Sequence, residues 1–261
     1  LNSQPMGFYA PAQLVQNARR ASVEVRPVDV NRSDWDCTLE PAEPGPQGGQ
    51  LALRLGLRLA SGLGRAAGER VAACRGAQPY RSAQDLADRT GLVARELEVL
   101  AAAGALAGIA GHRHRAHWAV AGIEPPLPVF PAVAIAEGLP LLRAPTEGQD
   151  LVADYQSLGL TLGRHPLALL RGRLRRQGLC TASELQEARD EARVHTAGIV
   201  TTRQRPGSAE GVTFVTLEDE TGYINLIVWR RLAERQRRVL LESRLLGVWG
   251  EVQRQGDVLH V

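Results

Sequence analysis

The sequence predicts a multidomain α+β fold in which the first two-thirds of the chain are mainly helical and the last part is built of β-strands. Alanine and leucine recur at helical spacing over residues 57–121 and again over about 150–189. From Arg193 onward, alternating apolar and polar residues are separated by turn signals, as expected for strands. The length of 261 residues and an apolar content of 44% allow two to three small domains with packed cores.

The charged residues favour anionic partners only weakly. The chain contains no lysine, so all 31 of its basic side chains are arginines, and its formal net charge is +3. Guanidinium groups bind phosphates bidentately and keep their charge at any working pH. This composition therefore permits nucleic-acid binding without requiring it.

Cysteine usage and hydropathy exclude several classes of protein. Cys37, Cys74 and Cys180 are far apart and form no Cys-x-x-Cys pair, which argues against structural disulfides and a zinc site. No apolar run reaches the roughly 18 residues of a membrane helix, so we predict a cytoplasmic protein without membrane contacts. Because the chain opens on Leu1 within an ordered-looking motif and closes on a strand pattern, we expect a fragment.

Residues 1–50 are predicted to contain a helix and a β-hairpin. Leu14, Val15 and Ala18 lie at helical spacing after a proline. The segments WDCTLE and LALRLGL are separated by a Pro/Gly-rich stretch over 41–49, which indicates two antiparallel strands with a long connection.

The segment Gly62-Leu63-Gly64 lies before a predicted helix from Arg65 to about Arg75. Its spacing formally matches a dinucleotide-binding fingerprint, but PYRSAQDLADR offers no second parallel strand, which that site needs. We interpret residues 51–121 as a helix-hairpin-helix domain, in which a short helix ending near Ser61 turns through these glycines into the second helix, whose free amides approach a DNA phosphate. The alternative is a plain tight turn. The candidate DNA contacts are Ser61, Gly62, Leu63, Gly64 and Arg65.

Residues 122–149 are predicted to be a linker, because prolines remove backbone donors and interrupt any helix. These prolines are Pro125, Pro126, Pro128, Pro131, Pro140 and Pro145. A helical connector is predicted over 150–190. It carries an arginine cluster of Arg171, Arg173, Arg175 and Arg176.

Residues 191–261 show the order strand, strand, strand, helix, strand, strand. That order is typical of an OB-fold barrel, in which a helix lies between the third and fourth strands; here the barrel is expected to be truncated at its C-terminal end. In the second strand, Phe214 and Leu217 have opposite parity, which predicts a β-bulge.

The third barrel strand offers candidate contacts for single-stranded nucleic acid. Alternation places its apolar residues at 224, 226 and 228 on one face and Tyr223 and Trp229 on the other. Tyr223 and Trp229 are predicted to stack on bases, while Arg203 and Arg205 hold phosphates. The alternative is that Trp229 packs beneath the helix that starts near Arg231.

Three further patterns are predicted to be structural, so we predict no catalytic and no metal-binding residue. Asp34 and Asp36 resemble a two-metal carboxylate pair, but they lie in a turn without a third carboxylate. A solvated helix face is predicted for His112, His114 and His117. The acidic run at 218–222 is predicted to be a turn between two barrel strands.

The strings LNSQPMGFYAPAQLVQNARR and VEVRPVDVNRSDWDCTLE closely resemble the end of the fingers region in bacterial error-prone C-family DNA polymerases, relatives of the DNA polymerase III alpha subunit. The resemblance continues through LASGLGRAAGERV, RSAQDLADRTGL, LEVLAAAGALAGIAGHRHRAHWAV, LGLTLGRHPLALLR and GVTFVTLEDETGYINLIVW. It covers essentially the whole chain and places it in the C-terminal half of such an enzyme.

The resemblance implies a DNA-binding and clamp-tethering portion of a polymerase that acts in translesion synthesis and damage-induced mutagenesis with mutasome accessory proteins. Duplex DNA would contact the hairpin, and the single-stranded template would contact the barrel. The magnesium-binding palm of the parent polymerase lies upstream, so this chain is expected to need no cofactor and to be inactive alone. The hairpin departs from the family at Ser61, where a lysine is common. The alternative function is a free-standing helix-hairpin-helix and OB-fold adaptor.

A sliding-clamp motif is predicted within the proline-rich stretch. Leu127, Val129 and Phe130 match the order of the clamp-binding pattern Gln-Leu-x-Leu-Phe, and neighbouring prolines keep the segment extended. Pro126 stands in place of the glutamine. The alternative is that Leu127 and Phe130 pin the linker onto neighbouring helices.

Overall fold

The computed structural model describes residues 1–5, 10–42, 51–123, 141–256 and 258–261. They form two compact units, Leu1–Gly163 and Arg164–Val261. The first unit is mainly helical and the second contains a six-stranded sheet, which confirms the predicted α+β fold class. No helix among the described residues is long and apolar enough to cross a membrane.

Seven helices are described in the first unit. They are α1 (Pro11–Arg20), α2 (Arg65–Arg75), α3 (Ala83–Thr90), α4 (Ala94–Ala102), α5 (Ala107–Ala110), α6 (Arg113–Ala121) and α7 (Glu147–Ser157). Their apolar faces enclose one core, whose fully buried leucines include Leu57, Leu86, Leu97, Leu100 and Leu106.

A small sheet adjoins these helices. It contains β1 (Val25–Arg26), β2 (Thr38–Pro41) and β3 (Leu51–Arg54) in the order β1-β3-β2. β2 and β3 are antiparallel, as predicted for the hairpin, while β1 and β3 are parallel. The predicted connection between β2 and β3 falls largely on residues 43–50, which lie outside the described residues.

Helix α7 packs with the first unit. The backbone N–H of Ser61 donates to the carbonyl of Ser157 at 2.8 Å. The largely buried guanidinium of Arg113 on α6 forms ion pairs with Asp150 and Asp154, the latter at 2.6 Å. The predicted helical connector over 150–190 is therefore divided between the two units at position 163.

The second unit begins with two helices and continues into a barrel. The helices are α8 (Pro166–Arg176) and α9 (Ala182–Glu187), followed later by α10 (Arg230–Arg235) and α11 (Arg237–Glu242). The strands are β4 (Arg193–Gln204), β5 (Thr213–Glu218), β6 (Tyr223–Val228), β7 (Leu245–Glu251), β8 (Gln253–Gln255) and β9 (Val258–His260). The order along the chain matches the predicted OB-fold.

The sheet order is β7-β4-β5-β6-β9-β8, and β7 and β8 are successive parts of one strand that is interrupted at Val252. Val252 is fully buried and bonds through its backbone to Ala192 and Glu191. Because the two parts of this strand pair with opposite ends of the sheet, the sheet curls into a barrel. Its interior is apolar and includes Ile224 and Leu226, as predicted.

The prediction of a β-bulge in the second barrel strand is wrong. β5 and β6 pair without interruption from Thr213 to Glu218, and the irregularity lies in β4 between Val200 and Thr202. Phe214 differs in parity from the buried Leu217 because its side chain lies on the outer face, where it is partly exposed.

Candidate nucleic-acid interface

The glycines at 62 and 64 form a tight turn that leads directly into α2. Gly62 has a φ of +92°, a conformation that other residues rarely adopt, and Leu63 between the glycines is buried in the core. Gly64 is extended and caps α2, which begins at Arg65 as predicted. Ser61, Gly62, Gly64 and Arg65 are exposed.

The structure corrects the first arm of this hairpin. The sequence predicts a helix that ends near Ser61, but a single 3-10 turn, Leu57–Leu59, precedes the glycines. β3 ends at Arg54, and a side chain at Gly56 would overlap neighbouring backbone atoms. Too few residues therefore remain between the sheet and the hairpin for a complete helix.

The N-terminus of α2 is open. It has no side-chain cap and no acidic residue in its first turn, and a Cβ atom at Gly64 would meet no atom within 4 Å. Amides at a helix N-terminus carry partial positive charge and bind anions such as phosphate. Arg65 adds a guanidinium at this end, although it also pairs with Glu69 at 2.8 Å.

The indole ring of Trp35 packs against α2 at Gly68 and fixes the position of the helix. A Cβ atom at Gly68, on the first turn of α2, would overlap the indole ring and lie 3.0 Å from its Cζ3. Only a glycine allows the helix to approach the indole so closely. The orientation of the hairpin is thus set by packing against the core.

A second hairpin with similar geometry lies between α3 and α4 and was missed in the sequence. Gly91 has a φ of +61°, Leu92 is buried, and Val93 caps α4. The shared signal was the Gly-Leu pair before each helix. This N-terminus is closed, because Glu96 accepts the Val93 N–H at 3.1 Å and pairs with Arg70 at 3.3 Å. A carboxylate there disfavours phosphate.

Several exposed aromatic side chains lie on the barrel, and three of them are on or next to β5 and β6. Tyr223 and Phe214 are partly exposed and Trp229 is 60% exposed. The exposure of Trp229, which caps α10, contradicts the alternative that it packs beneath that helix. Phe214 was missed in the sequence because of the misplaced bulge. Thr216 and Asn225 bond to each other at 3.3 Å between these rings.

The two arginines predicted to hold phosphates differ in their surroundings. Arg203 is partly buried and donates to the carbonyls of Leu240, at 2.6 Å, and Ser243, at the C-terminal end of α11. Arg205 is exposed. Arg203 thus has a structural role at the helix end, and Arg205 is the better placed to contact a phosphate.

The acidic and histidine patterns take structural roles. Asp34 pairs with Arg75 at 2.7 Å and Asp36 with Arg58 at 2.6 Å, so neither fits a pair of magnesium ligands. His112 caps α6 by accepting the amide of Arg115 at 3.3 Å. His114 contacts the carbonyl of Arg143 at 2.8 Å, and partial desolvation on α6 lowers the pKa of the solvent-exposed His117. Within the described residues, no group of three potential ligands could hold a metal.

The acidic run at 218–222 is the turn between β5 and β6, as predicted. Asp219 is 1% exposed and accepts the backbone amides of Thr221 at 2.7 Å and of Gly222 at 3.0 Å. Its other oxygen accepts the amide of Ala182 at 2.7 Å, at the start of α9. The turn therefore joins the barrel to the helices that precede it.

The predicted clamp-binding residues Leu127, Val129 and Phe130 lie outside the described residues. The elements on either side are described: α6 ends at Ala121 and α7 begins at Glu147. Both belong to the first unit.

Comparison with known proteins agrees with this geometry. A family model described as a helix-hairpin-helix motif matches residues 22–116. A second model, described as an OB-fold nucleic acid binding domain, matches residues 194–261.

Similar proteins cover the whole chain. The error-prone DNA polymerase of Alkalilimnicola ehrlichii is 59% identical over 261 residues, that of Azoarcus sp. 56% over 262, and that of Methylococcus capsulatus 54% over 275. Each match covers 100% of this chain but only 25 to 26% of the relative. The chain thus spans about a quarter of the length of these relatives.

Proposed function

We propose that this chain, which belongs with the error-prone DNA polymerases, is the DNA-binding and clamp-tethering part of such an enzyme, acting in translesion synthesis and damage-induced mutagenesis. The observation that carries the proposal is the open N-terminus of α2 beside the exposed glycine turn. A free-standing adaptor is the less favoured function, because the resemblance to polymerases extends along the entire chain.

The hairpin would hold duplex DNA by its backbone. Amides of the first turn of α2 would donate to a phosphate, and the exposed Arg65 would add a positive charge nearby. Contacts of this kind position the protein without reading the sequence of bases. A polymerase that must extend past damaged bases gains from such tolerance.

The barrel would hold single-stranded template. Phe214, Tyr223 and Trp229 lie on its outer face, and a base can stack on each ring. Arg205, the residue after β4, would contact the sugar–phosphate backbone. Both contacts tolerate any base, which suits a template of unpredictable sequence.

The sliding clamp would bind the segment that contains Leu127, Val129 and Phe130, and accessory proteins of the mutasome would complete the assembly. Arg113 supports this arrangement because its ion pairs with Asp150 and Asp154 join the elements on either side of that segment. A clamp bound to this segment would therefore be held close to the first unit, which contains the DNA-binding hairpin.

Titration of the cognate clamp tests this assignment. We expect the Leu127→Ala, Phe130→Ala double variant to bind the clamp more weakly than the unaltered chain. Equal affinities would exclude the segment as the clamp site.

Gly64→Asp tests the hairpin. The carboxylate of an aspartate at this position would accept the first amides of α2 and so occupy the site of the phosphate. The backbone of Gly64, with a φ of −74° and a ψ of 148°, suits any residue. We expect duplex affinity to fall about tenfold or more for two unrelated sequences alike, since hydrogen bonds to charged groups contribute about 1.5–3 kcal/mol.

The matched control is Val93→Asp. It adds the same charge at the equivalent position of the second hairpin, where Glu96 already closes the helix. We expect a much smaller loss of affinity. Equal losses for the two variants would show that net charge, and not the α2 N-terminus, determines binding.

A further inference from the structure

A cavity of about 440 Å³ opens at the end of the barrel where α10 and α11 pack. Its walls come from the end of β4, the start of β5 and the two helices. The side chains that matter for its chemistry are Arg205, Arg237, Leu240 and Leu241.

The cavity is positively charged. Arg205 and Arg237 are exposed and have no ion pair within the described part of the chain. Glu234 also lines the cavity, but Arg230 binds its carboxylate at 2.9 Å and lowers its pKa, with a smaller contribution from Arg205. Two cations are therefore available to an anion in the cavity.

The helices α10 and α11 also give the wall of the cavity an apolar part. Leu240 and Ala233 are buried at the back, whereas Leu241 is 54% exposed. Apolar side chains with a few convergent polar groups are typical of sites that hold flat organic ligands. A guanidinium can bind a phosphate bidentately and also stack on an aromatic base.

The cavity is next to the aromatic face of the same barrel. Thr213 lines the cavity and pairs with Val228, the residue before Trp229. Phe214 follows Thr213 and pairs with Gln204, another lining residue. The residues that line the cavity are therefore only one or two positions away from Phe214 and Trp229. A single strand that stacks on these two rings can continue into the cavity.

We infer that the cavity binds one nucleotide of single-stranded DNA. Arg205 and Arg237 hold its phosphate, and its base lies against Leu240 and Leu241. This inference rests on the proposed function of the barrel and adds a second place of contact, built from the barrel helices rather than from the outer face of the sheet.

Arg237→Gln tests the phosphate contact, with Arg238→Gln as the matched control. Arg238 is adjacent on the same helix, is 88% exposed and pairs with Glu242 at 3.0 Å, so both variants remove one surface charge. Binding of a fluorescent dT oligonucleotide to the full chain is measured by anisotropy at several salt concentrations. For Arg237→Gln we expect about tenfold weaker binding and a salt slope smaller by about 0.7.

Leu241→Ala tests the base contact, with Val239→Ala as its control because Val239 is equally exposed on the same helix. We expect Leu241→Ala to weaken binding of the dT oligonucleotide but not of an abasic oligonucleotide of equal length. Competition with dTMP identifies the source of the nucleotide: displacement of the strand at equal concentration would show a site for free nucleotides and overturn the assignment to DNA.

Several outcomes separate the two proposals. Equal losses for Arg237→Gln and Arg238→Gln would overturn the cavity site while single-strand binding, and with it the proposed function, stands. A loss with Arg237→Gln but none with Leu241→Ala would overturn the nucleotide assignment. No binding of the oligonucleotide by the unaltered chain would overturn both. Thermal melting of each variant confirms that these exposed substitutions leave the fold intact.

Discussion

Replacing Asp219 with asparagine removes a buried charge at the point where the barrel joins its preceding helices. One carboxylate oxygen accepts the amides of Thr221 and Gly222 and the Thr221 hydroxyl. The other accepts the Ala182 amide at 2.7 Å and lies 3.4 Å from the guanidinium of Arg171. Asparagine keeps the shape and one acceptor, but its NH2 group then faces two donors.

The loss in stability follows from these contacts. The buried Ala182 amide loses its acceptor, which costs about 1–3 kcal/mol, and Arg171 loses one of its two carboxylate partners while Glu220 remains. We expect a total of about 2–4 kcal/mol. For a unit of this size, this corresponds to a fall in melting temperature of about 10–20 °C.

Hydrogen exchange followed by mass spectrometry assigns the loss to one unit. We expect faster exchange in peptides from α8, α9 and the barrel, and no change in the first unit. The control is Glu242→Gln, which removes an exposed ion pair with Arg238 worth about 0–1 kcal/mol. A loss for Asp219→Asn no greater than for this control would refute the idea that the turn couples the helices to the barrel.

Three further predictions concern binding, catalysis and pH. Trp229→Ala should lower affinity for single strands by about 1–3 kcal/mol without lowering the melting temperature, because the indole is exposed; a lower melting temperature with unchanged affinity would give Trp229 a packing role. The chain should not extend a primer with magnesium and nucleotides, and incorporation that survives Asp34→Ala and Asp36→Ala would contradict this. Burial would raise the pKa of Glu220, but Arg171 outweighs it and the pKa is lowered. The stabilisation by Glu220 is therefore present above its unfolded pKa of about 4.3 and lost as pH falls through the lower folded value. Urea unfolding from pH 7 to 3 should show this loss, and it should shrink in Arg171→Gln.

Sequence patterns correctly predicted helix ends and strand faces, because both depend on residues that are close together in the chain. The helix Arg65–Arg75 is bounded by Gly64 and Gly76, so both of its ends were readable. Alternation along β6 correctly separated the buried Ile224 and Leu226 from the exposed face, because successive side chains in a strand point to opposite sides.

Long-range pairings were not readable in the same way. Nothing local shows that Arg203 bonds to the end of α11, or that Asp219 accepts an amide 37 residues earlier. The prolines predicted a linker between two helical regions, but the compact units divide at position 163, because α7 packs on residues that precede the prolines. The second hairpin lacked the Gly-x-Gly spacing and so escaped notice.

The capping of the other helices strengthens the case for the first hairpin. Among the described helices of eight residues or more, α2 is the one in which no side chain accepts a backbone amide of either the N-cap residue or the first turn: Ser82, His112, Thr146 and His165 accept first-turn amides of their helices, and Gln13 and Glu96 accept the N-cap amides of α1 and α4. Serine or aspartate at position 64 would fit, since no atom lies nearby, and would stabilise α2 by roughly a few tenths of a kcal/mol relative to glycine. The exposed glycine turn before this uncapped helix leaves its first amides available to an acceptor from another molecule, as the proposed phosphate contact requires. The α4 hairpin, with a similar glycine turn, has Glu96 at its N-terminus, so the fold itself does not require an open helix end.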